Sequence, residues 1–131
     1  MKNILLVGDD PWTRDSLALF FQIGGCRLHS VASGNEAIAA MAGQRFDMIL
    51  SDESLPDMDG LSLLRAYGKN QPGAVMFLFS SYPTRSLVEE AVRCGIHDVI
   101  RTPFTVETLA KTMLRLFPRS HDRDGEPVDV I

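Results

Sequence analysis

Four apolar runs in this chain end on oxygen-bearing side chains, and the central one ends on Asp52. Asp52 closes the run Met48-Ile49-Leu50-Ser51, and a loop with Pro56 and Gly60 follows. An acid where a buried strand runs out into a loop is a usual place for chemistry in an open α/β sheet. Asp9 and Asp10 stand in the same relation to the run at residues 3–7, Ser80 and Ser81 to residues 74–79, and Thr102 to Val99-Ile100. Any one of these acids alone reads as a helix N-cap or a solvated loop charge. Several on one sheet edge repel each other unless a cation sits between them. Hard oxygen ligands of this kind suit Mg²⁺ or a relative, which takes one or two protein carboxylates and keeps waters.

The elements that must position these groups read as strand and helix in regular alternation. Residues 3–7 are apolar and β-leaning, and Gly8-Asp9-Asp10-Pro11 closes them. Residues 13–23 carry Leu17, Phe20 and Phe21 at helical spacing and stop at Gly24-Gly25. Residues 26–31 alternate and predict a strand nearer an edge. Ser33-Gly34-Asn35-Glu36 opens a helix that runs through Met41 and ends at Gly43. Residues 47–51 predict the central strand. Residues 61–67 predict a helix with Leu61, Leu63 and Leu64 inward, ended by Gly68. Residues 74–79 are continuously apolar, as in a strand buried on both faces. A helix over 84–94 is capped by Thr84 or Ser86 and stops at Gly95. Val99-Ile100 centres a last strand. Thr105 caps a final helix with Leu109, Met113, Leu116 and Phe117 on its apolar side. This order predicts an α/β fold, a parallel sheet with helices on both faces. Residues 1–117 read as one domain. Residues 118–131, polar and rich in turn formers, read as a mobile tail or the start of a linker.

The composition excludes several classes. The chain has 131 residues, 45% of them hydrophobic, enough to bury a core. Its 13 basic and 17 acidic residues give a net charge of −4, which argues against nucleic acid or an anionic membrane as partner. Cys26 and Cys94 have no metal-ligand spacing and read as reduced thiols. The N-terminal apolar run is too short for a signal peptide and no run reaches membrane-spanning length, so a soluble cytoplasmic protein is expected. No Gly-rich phosphate loop follows the first strand and no Ser-His-Asp arrangement is evident, which argues against a flavodoxin-like cofactor binder or a small hydrolase. The chain does not read as a metabolic enzyme.

The order and spacing of Asp9-Asp10-Pro11, the segment from Asp52 to Leu64, Ser80-Ser81 and Thr102-Pro103-Phe104 carry a resemblance. Over residues 2–117 the chain resembles the receiver domain of two-component response regulators, the chemotaxis-regulator-like fold. The resemblance implies a doubly wound, flavodoxin-like (βα)5 domain with sheet order 2-1-3-4-5 and its site at the switch between strands 1 and 3. It implies that Asp52 accepts a phosphoryl group from a sensor histidine kinase or phosphotransfer protein, in phosphorelay signal transduction. It implies a Mg²⁺ held by Asp9, Asp52 and the backbone carbonyl of Ser54, with Ser80 contacting the phosphate and carrying the switch. It further implies a cis peptide before Pro103, and downstream partners or a second copy of the chain on the helix 4–strand 5–helix 5 face.

Three positions depart from that family's pattern. The family has two adjacent acids after strand 1, followed by one variable residue and Pro. In that register the pair falls on Gly8 and Asp9, so the first acid is missing and Asp10 takes the variable position. The alternative register pairs Asp9 with Asp10 and needs a one-residue deletion. Thr102 stands where the family has Lys, and a threonine hydroxyl brings a hydrogen bond but no charge. Val99 stands at the aromatic switch position. These changes weaken the expected Mg²⁺ site. They also raise a second expectation, a pseudo-receiver that binds proteins without being phosphorylated.

Overall fold

The computed structural model describes residues 2–23, 25–71 and 73–116. Five strands and five helices alternate: β1 (Asn3–Val7), α1 (Pro11–Ile23), β2 (Arg27–Val31), α2 (Gly34–Gly43), β3 (Met48–Asp52), α3 (Gly60–Asn70), β4 (Val75–Ser80), α4 (Arg85–Arg93), β5 (Asp98–Arg101) and α5 (Val106–Leu116). The strands form one parallel sheet in the order β2-β1-β3-β4-β5. The domain has the parallel sheet with helices on both faces expected from the alternation, in the doubly wound, flavodoxin-like order that the resemblance implied. Phe117, expected on the apolar side of the last helix, and residues 118–131, where the tail was expected, lie outside the described residues.

Hydrophobic pattern explains the placement of each strand. The three central strands are buried nearly throughout, as their unbroken apolar runs require. The edge strand β2 has no buried residue, matching its alternating sequence. Ile4, Leu6, Met48, Leu50, Phe77 and Phe79 face a core closed by Leu17, Phe20 and Phe21 of α1 and Leu109 of α5. Leu5, Val7, Ile49 and Leu78 face the opposite core, closed by Ala37 of α2, Leu61, Leu64 and Tyr67 of α3, and Ala91 of α4. Among the described residues no helix is long and apolar enough to cross a membrane.

One helix boundary differs from the sequence expectation, the end of α3. Helix α1 begins at Pro11, which suits a first helical turn, two residues before the apolar-spaced stretch from Thr13. The Asp10 carboxylate accepts from the Thr13 N–H at 2.9 Å and the Thr13 hydroxyl at 2.6 Å, so Asp10 is the cap and Pro11 the first helical residue. Helix α3 does not stop at Gly68 but runs to Asn70, with the Gln71 N–H bonding the Tyr67 carbonyl at 2.9 Å. Gly68 is there for packing, since a Cβ would lie 2.8 Å from Met76 Cε on β4. The other expected caps hold: Ser33 opens α2, Thr84 opens α4, and the Thr105 hydroxyl accepts from the Thr108 N–H at 3.0 Å.

The loop after β3 is pinned from both ends. The Gly60 N–H donates to the Glu53 carbonyl at 2.8 Å, folding the loop back onto the strand end. Asp57 reaches across to α2 and accepts from the Gly34 and Asn35 N–H groups, both at 2.8 Å. These are unpaired donors of a helix N-terminus, which favours a carboxylate and holds Asp57 below its usual pKa. A Cβ on Gly60 would overlap the Asp52 carbonyl oxygen and lie 3.0 Å from its carbon, both rigid backbone. A Cβ on Gly43 would meet nothing within 4 Å. Gly60→Ala therefore costs roughly 1–3 kcal/mol in urea unfolding, whereas Gly43→Ala leaves the midpoint unchanged or raises it.

Candidate functional site

Parallel pairing carries the carboxyl ends of β1, β3, β4 and β5 to one edge. The register sets Val7 beside Ser51, Asp52 beside Phe79 and Ser80 beside Arg101. A cleft of about 250 Å³ opens there, lined by Asp10, Thr13, Asp52, Glu53, Ser54, Phe79, Ser80, Ser81 and Thr102. A larger cavity of about 640 Å³, walled by Arg65, Lys69, Glu90 and Arg93, lies by Ala74 and Met76 at the other end of β4. The smaller cleft is the chemically interesting one, because it gathers the acids.

Asp52 is half-buried at the last position of β3. No hydrogen bond or ion pair engages its carboxylate among the described residues. Burial first, and then the nearby charges of Asp10 and Asp9, push its pKa up to about 6. Gly8 leaves the room that the Asp52 carboxylate occupies. A Cβ built on Gly8 would strike the Asp52 carboxylate, with Cγ at 2.8 Å. Position 8 therefore points at Asp52, and the space a first acid would fill is taken by the Asp52 carboxylate itself.

The two remaining acids of this loop differ. Asp10 lines the cleft, but one carboxylate oxygen is committed to Thr13, which lowers its pKa. Asp9 is exposed, with no side-chain hydrogen bond or ion pair among the described residues. Ser54 follows in the turn after β3 and bridges back to Asp59. No group of three or more His, Cys, Asp and Glu side chains is arranged as a cation cage among the described residues. Mg²⁺ does not need one, since it takes one or two carboxylates and completes its shell with water. A half-buried acid pressed by two others is a fitting donor set for such a cation.

On the opposite wall Ser80 is only 3% exposed. Its hydroxyl donates to Glu53 Oε1 at 2.8 Å and accepts from the Tyr82 N–H at 3.1 Å. The Thr102 N–H donates to the Ser80 carbonyl at 2.9 Å, and the Thr102–Pro103 peptide is cis, the isomer the resemblance implied. Val99 is half-buried in β5 opposite Leu78 and packs with the α2–α3–α4 core. Trp12 is 53% exposed and reaches the site through rings, packing on Phe104 at 5.5 Å, which stacks on Phe79 at 5.5 Å. Two residues near the site were not singled out from sequence. Glu53 looked like one more loop acid, and its partner Ser80 lies 27 positions away. Asp57 likewise finds its partners 22 and 23 positions back.

A parallel sheet of this order, with acids at the β1/β3 switch point, places the protein among doubly wound domains that bind anions or cations at that point. Residues 4–114 match the response regulator receiver domain, and the chain belongs to that family. The regulatory protein AtoC of Escherichia coli is 28% identical over 109 residues, 83% of this chain and 24% of AtoC, so the chain spans about a quarter of that relative's length. The structure of the chemotaxis response regulator CheY4 of Vibrio cholerae matches with a TM-score of 0.81 and 27% identity, over 88% of this chain and 98% of that one. The receiver domain of the sensor histidine kinase PA1611 of Pseudomonas aeruginosa, solved with a magnesium ion in its active-site cleft, matches with a TM-score of 0.74 and 27% identity, over 88% and 96% of the two chains.

The raised Asp52 pKa has a consequence for stability. Below the unfolded carboxylate pKa of about 4, Asp52 is protonated in both states and costs nothing. As pH rises from there through about 6, the folded protein must ionise a carboxylate its surroundings disfavour, and stability falls. Asp52→Asn is expected to raise Tm at about pH 8 and to leave it unchanged at about pH 4, as checked by thermal melts at the two pH values. Equal shifts at both would mean that ionisation of Asp52 is not the cause.

Proposed function

We propose that this receiver accepts a phosphoryl group on Asp52 and uses the modification to change its affinity for protein partners. The observation that carries the reading is the half-buried, unpaired Asp52 carboxylate, open to a cleft with Ser80 and Thr102 on its far wall. An Asp52 oxygen attacks phosphorus as the bond to the donor breaks, leaving an acyl phosphate; the donor is a phosphohistidine on a sensor kinase or phosphotransfer protein, or a small acyl phosphate. Asp9, Asp52 and the Ser54 carbonyl would hold a Mg²⁺, which would supply positive charge for the transferring oxygens. Asp10, already spent on capping α1, is the lesser candidate. Ser80 and Thr102 offer hydroxyl hydrogen bonds to the phosphoryl oxygens.

The readout fits the face of α4, β5 and α5. Val92 is 68% exposed and Val88 39% exposed on α4, and Tyr82 just before it is 75% exposed. A partner protein or a second copy of the chain would cover them. Half-buried Val99 in β5 gives no rotating aromatic, so the signal would pass through Ser80 and the loop that follows it. The protein acts in this reading as a signalling module rather than a metabolic enzyme.

The test is incubation with Mg²⁺ and acetyl phosphate or beryllofluoride, read by intact mass and Trp12 fluorescence. The parent responds and Asp52→Ala does not. If the parent is as silent as Asp52→Ala, the phosphorylation-independent binding module becomes the better reading. Thr102→Lys adds the cation the cleft lacks, and one charge-assisted hydrogen bond is worth about 1.5–3 kcal/mol. That variant is expected to bind beryllofluoride at least about tenfold more tightly than the parent in a fluorescence titration.

A further inference from the structure

Glu53 is held by its backbone on both sides. Its N–H donates to the Phe79 carbonyl at 2.8 Å and its carbonyl accepts from Gly60 at 2.8 Å. The side chain therefore enters the cleft from a fixed point, next to Asp52 and against Ser80. A serine hydroxyl has one proton to donate. Here that proton goes to Glu53 Oε1, while a lone pair of the same oxygen receives the Tyr82 N–H. Ser80 thus has no donor left for an anion on Asp52, although it is the buried hydroxyl on the cleft's far wall.

We infer that Glu53 is a latch on Ser80: in the unmodified protein it holds the hydroxyl's proton, and an anion on Asp52 must displace it to gain that hydrogen bond. The inference rests on the reading that Asp52 is the modified group. Both carboxylates line one small cleft, so negative charge added to Asp52 repels Glu53 and loosens its hold. Ser80 then turns its hydroxyl toward the new anion. As Oγ turns, the Tyr82 N–H loses its acceptor, and the segment leading to the Thr84 cap of α4 is released. Glu53 is a positioning residue in this scheme, acting through Ser80 and setting how much anion affinity is needed to switch the domain.

The experiment measures beryllofluoride affinity with Mg²⁺, by Trp12 fluorescence, for the full chain and for Glu53→Ala, Glu53→Gln, Ser80→Ala and Glu53→Ala with Ser80→Ala. Freeing one hydrogen bond predicts that Glu53→Ala binds about tenfold more tightly than the parent. Glu53→Gln keeps a weaker, neutral acceptor for Ser80 and is expected to fall between the two. In the Ser80→Ala background the gain from Glu53→Ala shrinks to about twofold or less, because no hydroxyl remains to be freed. An equal gain in both backgrounds would mean that Glu53 acts by charge alone, and the latch would be wrong. No gain at all, with the parent binding, overturns the latch and leaves the Asp52 reading standing. If parent and Glu53 variants are all as silent as Asp52→Ala, the Asp52 reading fails and the latch fails with it. Thermal melts of each variant check the fold, and Glu53→Gln carries the comparison if Glu53→Ala does not fold.

Discussion

Strands β1, β3 and β4 are packed between helices on both faces, and that burial governs where polar groups can go. Within the strands an uncompensated polar side chain would be expensive. Parallel pairing then brings every carboxyl end to the same edge. Polar groups excluded from the strands therefore gather there without any local signal that they belong together. Asp52, Ser80, Asp9, Asp10 and Thr102 become neighbours because the sheet is parallel and its order reverses between β1 and β3.

The site that results is a negative one. Asp52 is desolvated and pressed by Asp10 and Asp9, and among the described residues no lysine or arginine lines its cleft. Its raised pKa records that imbalance. Gly8 makes room for the Asp52 carboxylate, which a side chain at that position would displace. Such a site places its demand on what it binds. In the proposed reading a hard cation would remove the repulsion among the acids, and an anion on Asp52 would find its donors among hydroxyl groups and backbone rather than an ammonium. This sets the chain apart from the pattern of its family, with which it shares fold and acceptor segment.

The loop after β3 joins this site to its surroundings. Gly60 lets the loop lie against the Asp52 carbonyl, and Asp57 fastens it to the N-terminus of α2. Met58 fills the space beside Gly34, where a Cβ would collide with it. The loop is therefore a rigid bracket rather than a free connection. Glu53, at its start, has little freedom except in its side chain, which is why the proposed latch turns on its single bond to Ser80.

Sequence alone determined the alternation of strands and helices, most caps, the buried central strands and the place of Asp52 at the end of the central one. Each depends on near neighbours in the chain: apolar period, an N-cap three residues before its partner, an acid at the end of an apolar run. Gly68 misled for the same reason, because its packing partner Met76 belongs to another element. Tertiary structure decided the rest. Asp10 is one of two adjacent acids in the sequence, and only the structure shows one of its carboxylate oxygens holding Thr13. The Glu53–Ser80 bond, the Asp57 cap on α2 and the pressing of Asp52 by Asp9 and Asp10 join residues from different strand ends and loops. Such pairs leave no periodic trace, since they arise only when parallel pairing sets separate strand ends side by side.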